Sequence, residues 1–396
     1  MLLPQNMKCE EKFYEIYRKE PQAVAFCPYR ICPVGAHVDH NFGKITGFAI
    51  DKGIHFAYAP KQNGVVEICS LQFDKRAQWH VAGTPETKQD DWADYLRGAT
   101  LFLSQMFPIG KGISGVIEGS LPIGGLSSSA AVVLVFLKAL CDVNGIRLTP
   151  AEMISLSVRV ENQYVGVSSG KLDQSCEVYA KKDHLLHLDT LNDEYELIPT
   201  SPKMKPYEIA IFFSGLERTL IGSKFNMRVD ECRSAAYALK AFAGMEYGKF
   251  AETSLRQVPV SIYEEYRDRL PLNWAKRAEH WYSEQDRVER SAEAWRKGNV
   301  EEYGKIIFES GRSSIENYQT GSPELKELYE IMTRTEGIYG GRFSGAGFKG
   351  CCMAVIDPAF RESILRKVGE EYLKAFPHLE GKYQSTICHS EEGLVL

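Results

Sequence analysis

Residues 122–132 of the chain are Pro-Ile-Gly-Gly-Leu-Ser-Ser-Ser-Ala-Ala-Val. Gly124 and Gly125 allow backbone angles that other residues avoid, so the chain can curl tightly and bring its N–H groups close to an anion. The serines Ser127–Ser129 stand at or before the first turn of a predicted apolar helix, where unpaired backbone donors and the positive dipole end favour a phosphate. A serine-capped turn is the alternative interpretation, but capping requires only one serine. The segment therefore predicts an anion-binding site.

This loop differs from the common nucleotide-binding motifs. It lacks the terminal Gly-Lys-Ser/Thr of the P-loop and the Gly-x-Gly-x-x-Gly of dinucleotide-binding folds. It resembles instead the Pro-x-x-Gly-Leu-Ser-Ser-Ser-Ala loop of the GHMP kinases, the superfamily of galactokinase, homoserine kinase, mevalonate kinase and phosphomevalonate kinase. The resemblance implies that the loop binds ATP through Pro122, Gly124, Gly125, Leu126, Ser127, Ser128 and Ser129.

A second segment, residues 28–44, concentrates charged and imidazole side chains between glycines. Taken alone, it fits a surface turn as well as a binding site. It resembles the galactokinase signature Gly-Arg-x-Asn-x-Ile-Gly-Glu-His-x-Asp-Tyr, with Arg30, Gly35, His37 and Asp39 matching in register. The resemblance implies that this segment binds the sugar.

A third segment, residues 339–355, has glycines at 345, 347 and 350 between two strand-like flanks. The pattern alone fits a tight hairpin and a phosphate-facing loop equally well. It resembles the third GHMP motif, which closes over the nucleotide from the C-terminal domain. Gly345 and Gly347 are therefore expected to contact ATP.

The resemblance extends over nearly the whole chain. Residues 161–174 match the family pattern Glu-x-x-x-x-Gly-x-x-x-Gly-x-x-Asp-Gln, and Trp92 begins a Trp-Ala-Asp-Tyr segment similar to one near the family's adenine pocket. Residues 276–280 and 311–318 resemble family segments of the C-terminal half.

The fold implied by the resemblance is α+β, with two domains and the active site in the cleft between them. We expect an N-terminal domain similar to domain 2 of ribosomal protein S5 at residues 1–205. A ferredoxin-like C-terminal domain is expected at residues 206–396. The residues themselves agree, because strand and helix patterns occur on both sides of a polar, proline-containing stretch at 190–206, which we interpret as the boundary.

The resemblance also implies roles for individual residues. Asp173 and Arg30 match the catalytic aspartate and the arginine beside it; Asp173 either deprotonates or orients the sugar hydroxyl, while Arg30 steadies charge on the transferring phosphoryl group. Ser129 and Glu161 would hold Mg²⁺, a hard cation that prefers oxygen ligands. The sugar would contact Ala36, His37, Asp39, Phe225 and Asp173. Phe225 stands where the family usually has a sugar-contacting tyrosine, and this departure removes the hydroxyl from which the resemblance would imply a hydrogen bond to the sugar.

Ala36 is the decisive departure from the galactokinase signature, which has glutamate there to hold the sugar's 6-hydroxyl. Its loss forfeits a charge-assisted hydrogen bond of about 1.5–3 kcal/mol. For a sugar oxidised at C6 the argument reverses, because two carboxylates ~4 Å apart repel by roughly 4 kcal/mol at an effective dielectric near 20. The surrounding sequence is most similar to the plant-type galacturonokinases, which phosphorylate D-galacturonate at C1. We therefore expect ATP-dependent formation of galacturonate 1-phosphate.

Three alternatives remain open at the level of sequence. Ala36 is also compatible with neutral drift in a galactokinase, or with a kinase that tolerates several C6 variants. Galactokinase-like proteins also include non-catalytic sugar sensors, although the intact serine loop, Glu161, Arg30 and Asp173 argue against that reading. No cationic partner for the C6 carboxylate is evident, and Lys171, two residues before Asp173, is a candidate that a solvated surface lysine explains as well.

Composition excludes several other classes of protein. The 396 residues exceed the ~250–300 at which single cores stop growing, which favours two domains. A net charge of −5 argues against a dedicated nucleic-acid binder. The longest apolar run, Ala130–Leu137, is too short for a bilayer, which needs ~20 residues, and the N-terminus has no signal-peptide core. We expect a cytoplasmic monomer or weak homo-oligomer without membrane or nucleic-acid partners.

The ten cysteines form no Cys-x-x-Cys and no cluster with zinc-ligand spacing. A core of this size needs no disulfide bonds to stabilise it. We therefore expect reduced, mostly buried thiols and no structural metal.

Overall fold

The computed structural model of the chain describes residues 9–73, 75–216 and 222–396. Its helices are α1 (Cys9–Tyr17), α2 (Asp94–Met106), α3 (Ser128–Asn144), α4 (Pro150–Arg159), α5 (Leu172–Tyr179), α6 (Gly222–Phe242), α7 (Val260–Tyr266), α8 (Leu272–Arg296), α9 (Val300–Glu316), α10 (Pro323–Thr333) and α11 (Arg361–Ala375). Its strands are β1 (Ala23–Ile31), β2 (Lys44–Lys61), β3 (Val65–Ser70), β4 (Lys75–His80), β5 (Gly112–Gly119), β6 (His184–Asp189), β7 (Tyr195–Pro199), β8 (Glu208–Phe213), β9 (Ile338–Phe343), β10 (Cys351–Ile356), β11 (Gln384–Cys388) and β12 (Ser390–Glu391). A π-helical segment, Val160–Val165, directly continues α4.

The larger sheet is organised around the long strand β2. Its strand order is β4-β3-β5-β2-β6-β7, and β1 and β12 also pair with β2. Among the strand pairs that the described residues form in this sheet, β3–β5 is parallel and the others are antiparallel. The 18-residue β2 begins at the end of the sugar segment and pairs along its later part with β5, the strand that leads into the serine loop.

The smaller sheet is wholly antiparallel, in the order β11-β8-β10-β9. One face of it packs against α10 and α11, with Leu328, Met332 and Val368 in that cluster. The opposite face, with Ile211 and Met353, joins the main core of the larger sheet. The two sheets therefore share a continuous core, which fixes the third glycine segment against the first half of the chain.

Helix α3 lies at the centre of the larger core. The run Ala130–Leu137 is buried apart from Val132, which is partly buried. A helix that is apolar on nearly all faces is stable only when it is surrounded by other elements. The helix that follows the serine loop is thus rigidly held, and its N-terminus has a fixed direction.

Most of the elements expected from sequence periodicity are confirmed. Apolar runs and alternation in the sequence predict strands near residues 22–28, 64–70, 113–119, 184–189 and 208–213, and all of them form. Apolar residues at helical spacing predict helices over 92–106, 128–143, 275–297 and 323–334, and these form as well. Thr149-Pro150 followed by an acidic turn predicts a further helix, which begins with a complete capping box between Thr149 and Glu152. All ten cysteines are free and buried, as expected.

The polar stretch 190–206, interpreted from the sequence as the domain boundary, contains a strand that the sequence did not predict. This strand, β7, pairs antiparallel with β6 through partners such as Leu186 and Leu197. Alternation along Tyr195–Pro199 is weak because this edge strand has only one buried residue, Ile198. The boundary between residues 205 and 206 stays a prediction, since β12 returns from the C-terminal half to pair with β2. Among the described residues, no helix combines the length and apolarity needed to span a membrane.

Candidate active site

The serine loop curls because its residues have left-handed backbone angles. Gly124 has φ 147°, Gly125 has φ 84° and Ser127 has φ 65°, and α3 begins at the next residue. A Cβ atom on Gly124 would lie 3.0 Å from the Cα of Gly350. Glycine is needed there for its conformation and because another backbone approaches closely. The loop delivers the free N–H groups of the first turn of α3 to one point, where a phosphate would bind.

The third glycine segment closes directly onto the serine loop. Gly345, Gly347 and Gly350 all have positive φ, and a Cβ atom on Gly345 would lie 2.9 Å from the Cα of Gly125. The Ser344 hydroxyl donates a hydrogen bond of 2.6 Å to the Gly125 carbonyl. Two glycine-rich segments from opposite halves of the chain therefore meet backbone to backbone at the predicted phosphate site.

A cavity opens beside the start of α3, and it brings predicted ATP-binding residues together. Trp92, Ser128 and Ser129 line it, and Phe73 stacks on Trp92 with ring centroids 6.0 Å apart. An aromatic wall next to a helix N-terminus suits a flat base joined to phosphates. Within the serine loop Pro122 is exposed and Leu126 is buried.

Arg30 and Asp173 form an ion pair beside the loop. The Arg30 Nε donates to Asp173 Oδ1 at 2.8 Å, and a terminal Arg30 nitrogen lies 2.8 Å from the same oxygen. Arg30 Nη1 also donates to the Gly125 carbonyl at 3.1 Å. Burial works against the charged guanidinium, but Asp173 outweighs it and raises the pKa of Arg30. The Arg30 side chain is 3% exposed and that of Asp173 is 29% exposed, so the carboxylate is the accessible member of the pair.

Glu161 and Ser129, the predicted Mg²⁺ ligands, lie together. The pKa of the buried Glu161 carboxyl is raised by burial and by Asp173, and hydrogen bonding with Ser129, Ser169 and Gln174 opposes the shift. Ser169 and Gln174 each donate to Glu161 Oε2 at 3.0 Å. A carboxylate and a hydroxyl beside a phosphate site fit Mg²⁺, which takes few protein ligands and completes its shell with phosphate oxygens and water. In the described part of the chain, no group of three or more His, Cys, Asp or Glu side chains has metal-site geometry.

The backbone of the sugar segment is held from the other half of the chain. Gly35 N–H donates to Glu284 Oε1 at 2.7 Å, and the Ala36 carbonyl accepts from His280 Nε2 at 3.0 Å. Ala36 itself is 7% exposed. His280 and Glu284 are one turn apart on α8, so a single helix holds the backbone on both sides of the Gly35–Ala36 peptide bond.

His37 and Asp39, which follow Ala36 in the sugar segment, contact other parts of the site. His37 has a left-handed φ of 66°, its ring stacks on Tyr318 with centroids 4.4 Å apart, and its Nε2 lies 3.1 Å from the Gly345 carbonyl. Asp39 Oδ2 accepts from the Leu172 N–H at 3.2 Å. Burial and the nearby Asp173 raise the pKa of Asp39 to about 6. The structure therefore brings the second segment, the third segment and the start of α5 to one place.

Phe225 approaches the same cluster through His40, which sequence reasoning did not select. The two rings meet edge to face at 5.9 Å. Burial lowers the pKa of His40 to about 3, with Arg233 adding to the effect. His40 is thus neutral near pH 7.

Glu284 is a second residue that sequence reasoning missed. Besides Gly35, it pairs with Arg287 (2.6 Å) and with the buried Arg342 (3.5 Å). Burial alone would raise the pKa of Glu284, but Arg287 and then other neighbours lower it to about 2. His280 Nδ1 is hydrogen-bonded to Ser313 Oγ at 3.0 Å, and burial lowers the pKa of His280 to about 4. The only sequence signal for this group is that His280 ends the family-like segment 276–280.

Lys171, the candidate partner for a substrate carboxylate, is already in an ion pair with Asp193. Arg228, one turn after Phe225, pairs with Glu231 at 2.9 Å, and the buried Arg277 contacts the same carboxylate at 2.7 Å. Acidic side chains of the protein already balance these cations. The geometry therefore does not favour Lys171 as the partner of a substrate carboxylate.

Comparison with known proteins identifies the family of the chain. Residues 94–181 match the GHMP kinases N terminal domain and residues 291–374 match the GHMP kinases C terminal domain. A galacturonokinase of Arabidopsis thaliana is 38% identical over 391 residues, covering 93% of this chain and 92% of the relative. A galactokinase of Clostridium perfringens is 30% identical over 380 residues, covering 95% and 96%.

Solved structures show the same relationship. The Lactococcus lactis galactokinase complexed with galactose superposes with a TM-score of 0.88 at 26% identity, covering 98% of both chains. The mevalonate kinase of Methanococcus jannaschii, at 16% identity and a TM-score of 0.66, shares the fold. The chain belongs to the GHMP kinases, and it is a sugar kinase with ATP as its co-substrate.

Proposed function

We propose that the chain transfers the γ-phosphoryl group of ATP to the C1 hydroxyl of D-galacturonate, giving galacturonate 1-phosphate. The observation that carries the proposal is Ala36, a small, buried side chain whose peptide group is fixed by His280. In the galactokinase signature a glutamate occupies this position. Because this chain has a methyl group there instead of a carboxylate, no negative charge from residue 36 faces the expected position of the sixth carbon of the sugar.

The magnitude of the effect favours an acid sugar over galactose. A carboxylate facing a glutamate at ~4 Å would be repelled by roughly 4 kcal/mol, about three orders of magnitude in affinity. With Ala36 that repulsion is absent. The 38% identity to the Arabidopsis galacturonokinase supports the same choice, whereas the galactokinase relatives and the galactose-bound Lactococcus structure keep galactokinase as the second candidate.

Phosphoryl transfer depends mainly on positioning and charge neutralisation. We assign Asp173 to hold the C1 hydroxyl and accept its proton, because its carboxylate is the accessible half of the Arg30 pair. Arg30 stabilises charge on the transferring group and contacts the serine loop at Gly125. Glu161 and Ser129 would hold Mg²⁺, which neutralises phosphate charge when it is bound. The serine loop and the glycines of the third segment would surround the phosphates with backbone N–H groups.

Parallel ATP-consumption assays on galacturonate, galactose and glucuronate test this proposal. Galacturonate is expected to give the highest kcat/KM, by a wide margin over galactose. Turnover of galactose alone would overturn the acid-sugar assignment. Binding of sugar and ATP without any turnover would instead establish a sensor.

The pH dependence of sugar use follows from Asp39. Its pKa is raised to about 6, so the carboxyl is ionised above that pH and becomes protonated below it. The ionised form is the stronger acceptor for sugar hydroxyls. We expect kcat/KM for the sugar to fall about tenfold for each pH unit below about 6, measured at saturating ATP. A profile that stays flat between pH 7 and pH 5 contradicts a role for ionised Asp39 in binding.

Removing His280 tests whether the position of Ala36 matters. The substitution His280→Phe keeps a buried ring but leaves the Ala36 carbonyl unsatisfied, a cost of about 1–3 kcal/mol. We expect KM for the sugar to rise about tenfold, with KM for ATP little changed. Initial-rate kinetics in both substrates measure the split, and His378→Phe on the exposed surface is the matched control. Equal increases in both KM values would show general damage to the fold instead.

A further inference from the structure

Glu177 is a buried acid that the proposed mechanism does not use. It lies on α5 four residues after Asp173, so the two carboxyl groups project from the same helix face. The residue is 0% exposed, and among the described residues neither carboxyl oxygen has a partner at hydrogen-bonding distance. Unsatisfied buried groups are rare in folded proteins, and each calls for an explanation.

The surroundings of Glu177 are those of the reaction site. The charged and titratable side chains around it are Cys27, Tyr29 and Arg30 on β1, Glu161 on the π-helical segment, and Asp173 and Cys176 on α5 itself. Burial, followed by the charge of Asp173, raises the pKa of Glu177 well above its ordinary value, and Arg30 only partly opposes this. The shift favours the uncharged carboxylic acid, a form that can donate as well as accept a hydrogen bond.

Ser127 faces this acid from the serine loop. Its hydroxyl is also buried and, among the described residues, also without a hydrogen-bond partner. Although Ser127 precedes the first residue of α3, its side chain does not cap the helix. Ser127 lies close enough to the Glu177 carboxyl to oppose the rise in its pKa, although the two side chains are not at hydrogen-bonding distance in this structure. Two buried, unsatisfied groups thus lie near each other between the catalytic helix and the phosphate loop.

We propose that Glu177 is a positioning residue for phosphoryl transfer, whose carboxyl group engages the Ser127 hydroxyl and fixes the serine loop relative to Asp173 and Arg30. The inference rests on the proposed roles of that pair and of the loop. It gives the loop a second anchor beside the 3.1 Å contact between Arg30 Nη1 and the Gly125 carbonyl. Glu177 is fully buried, so we expect its effect to reach the reaction through Ser127.

The chemistry of a buried acid separates this role from ordinary packing. An unfolded carboxyl group ionises above its ordinary pKa, whereas the folded Glu177 resists ionisation, so this group lowers stability as the pH rises from about 5 towards its folded pKa. A residue that costs stability at neutral pH and yet serves activity is typical of functional sites. Neutral replacements should therefore leave the fold as stable as the wild type, or more so.

The test uses the full-length enzyme with Mg²⁺ and whichever of the three sugars the wild type turns over. Glu177→Met, of similar length, should lower kcat/KM for ATP by about tenfold or more, the effect of one lost buried hydrogen bond, without lowering Tm at pH 7.5. Glu177→Gln keeps both hydrogen-bonding functions and should restore most of the activity. The double variant Ser127→Ala/Glu177→Met should lose no more kcat/KM for ATP than the more impaired single variant does, because the two residues act as a unit.

Two results would overturn the inference: unchanged kcat/KM for ATP in Glu177→Met, or losses that multiply in the double variant. If Glu177→Met fails to fold, infrared spectra decide. The carbonyl stretch of a protonated carboxylic acid should be present at pH 7.5, vanish in Glu177→Gln and shift in Ser127→Ala; its absence from the wild type contradicts the inference. If no sugar is phosphorylated, the proposed function fails, but affinity for a non-hydrolysable ATP analogue still reports on Glu177 independently.

Discussion

Replacing Asp173 with alanine is expected to abolish sugar phosphorylation while leaving sugar binding measurable. The carboxylate is the exposed member of a pair with the buried Arg30, so it is the group that a C1 hydroxyl can reach. Proton transfer and orientation by one such group contribute about 10²–10⁴-fold to a rate. Single-turnover assays measure the loss, and calorimetry with the sugar measures the remaining binding.

Asp173→Ala also leaves the buried Arg30 without its carboxylate partner, so a control variant is needed for the effect on Arg30. Asp173→Asn keeps an acceptor for the guanidinium and should fold normally while losing nearly as much activity. Asp286→Ala removes an acid from a solvent-exposed pair with Arg290, and it should leave both rate and stability within assay error. Wild-type rates in Asp173→Asn would remove the carboxylate from the mechanism.

Replacing Ala36 with glutamate is expected to reverse the substrate preference. The new carboxylate would repel the acid sugar by roughly 4 kcal/mol, so kcat/KM for galacturonate should fall about 10³-fold. For galactose the same side chain regains a charge-assisted hydrogen bond to the 6-hydroxyl, worth about 1.5–3 kcal/mol, so kcat/KM should rise. The ratio of the two kcat/KM values is the measurement that reports on the switch.

Ala36→Gln separates charge from size in that experiment. Glutamine fills the same space without a charge, so Ala36→Gln should lower kcat/KM for galacturonate far less than Ala36→Glu does. Equal losses in the two variants would show that bulk excludes the acid sugar. No change in either variant would place residue 36 away from the sixth carbon.

The loops that carry the chemistry were largely predictable from sequence, because each combines glycines with polar residues in a spacing that has a local physical cause. The left-handed angles of Gly124 and Gly125 and the start of α3 at Ser128 follow directly from that local pattern. The strand β7 was missed because an edge strand with one buried residue gives no alternation.

The residues that hold these loops were not predictable in the same way. Glu284 contacts Gly35 across 249 positions and His280 contacts Ala36 across 244, so nothing adjacent in sequence marks either partner. Glu177 follows the same rule, since a single acid on a short helix looks like a solvated residue until the fold buries it. Periodicity reports which face of an element is apolar, but it does not report which polar groups meet inside the core.

A crystal structure with galacturonate and a non-hydrolysable ATP analogue tests the substrate assignment most directly. We predict that the C6 carboxylate lies in van der Waals contact with the Ala36 methyl group, about 4 Å away, with the C1 hydroxyl against Asp173. A bound sugar whose sixth carbon points away from Ala36 would contradict the assignment, even if the C1 hydroxyl still meets Asp173.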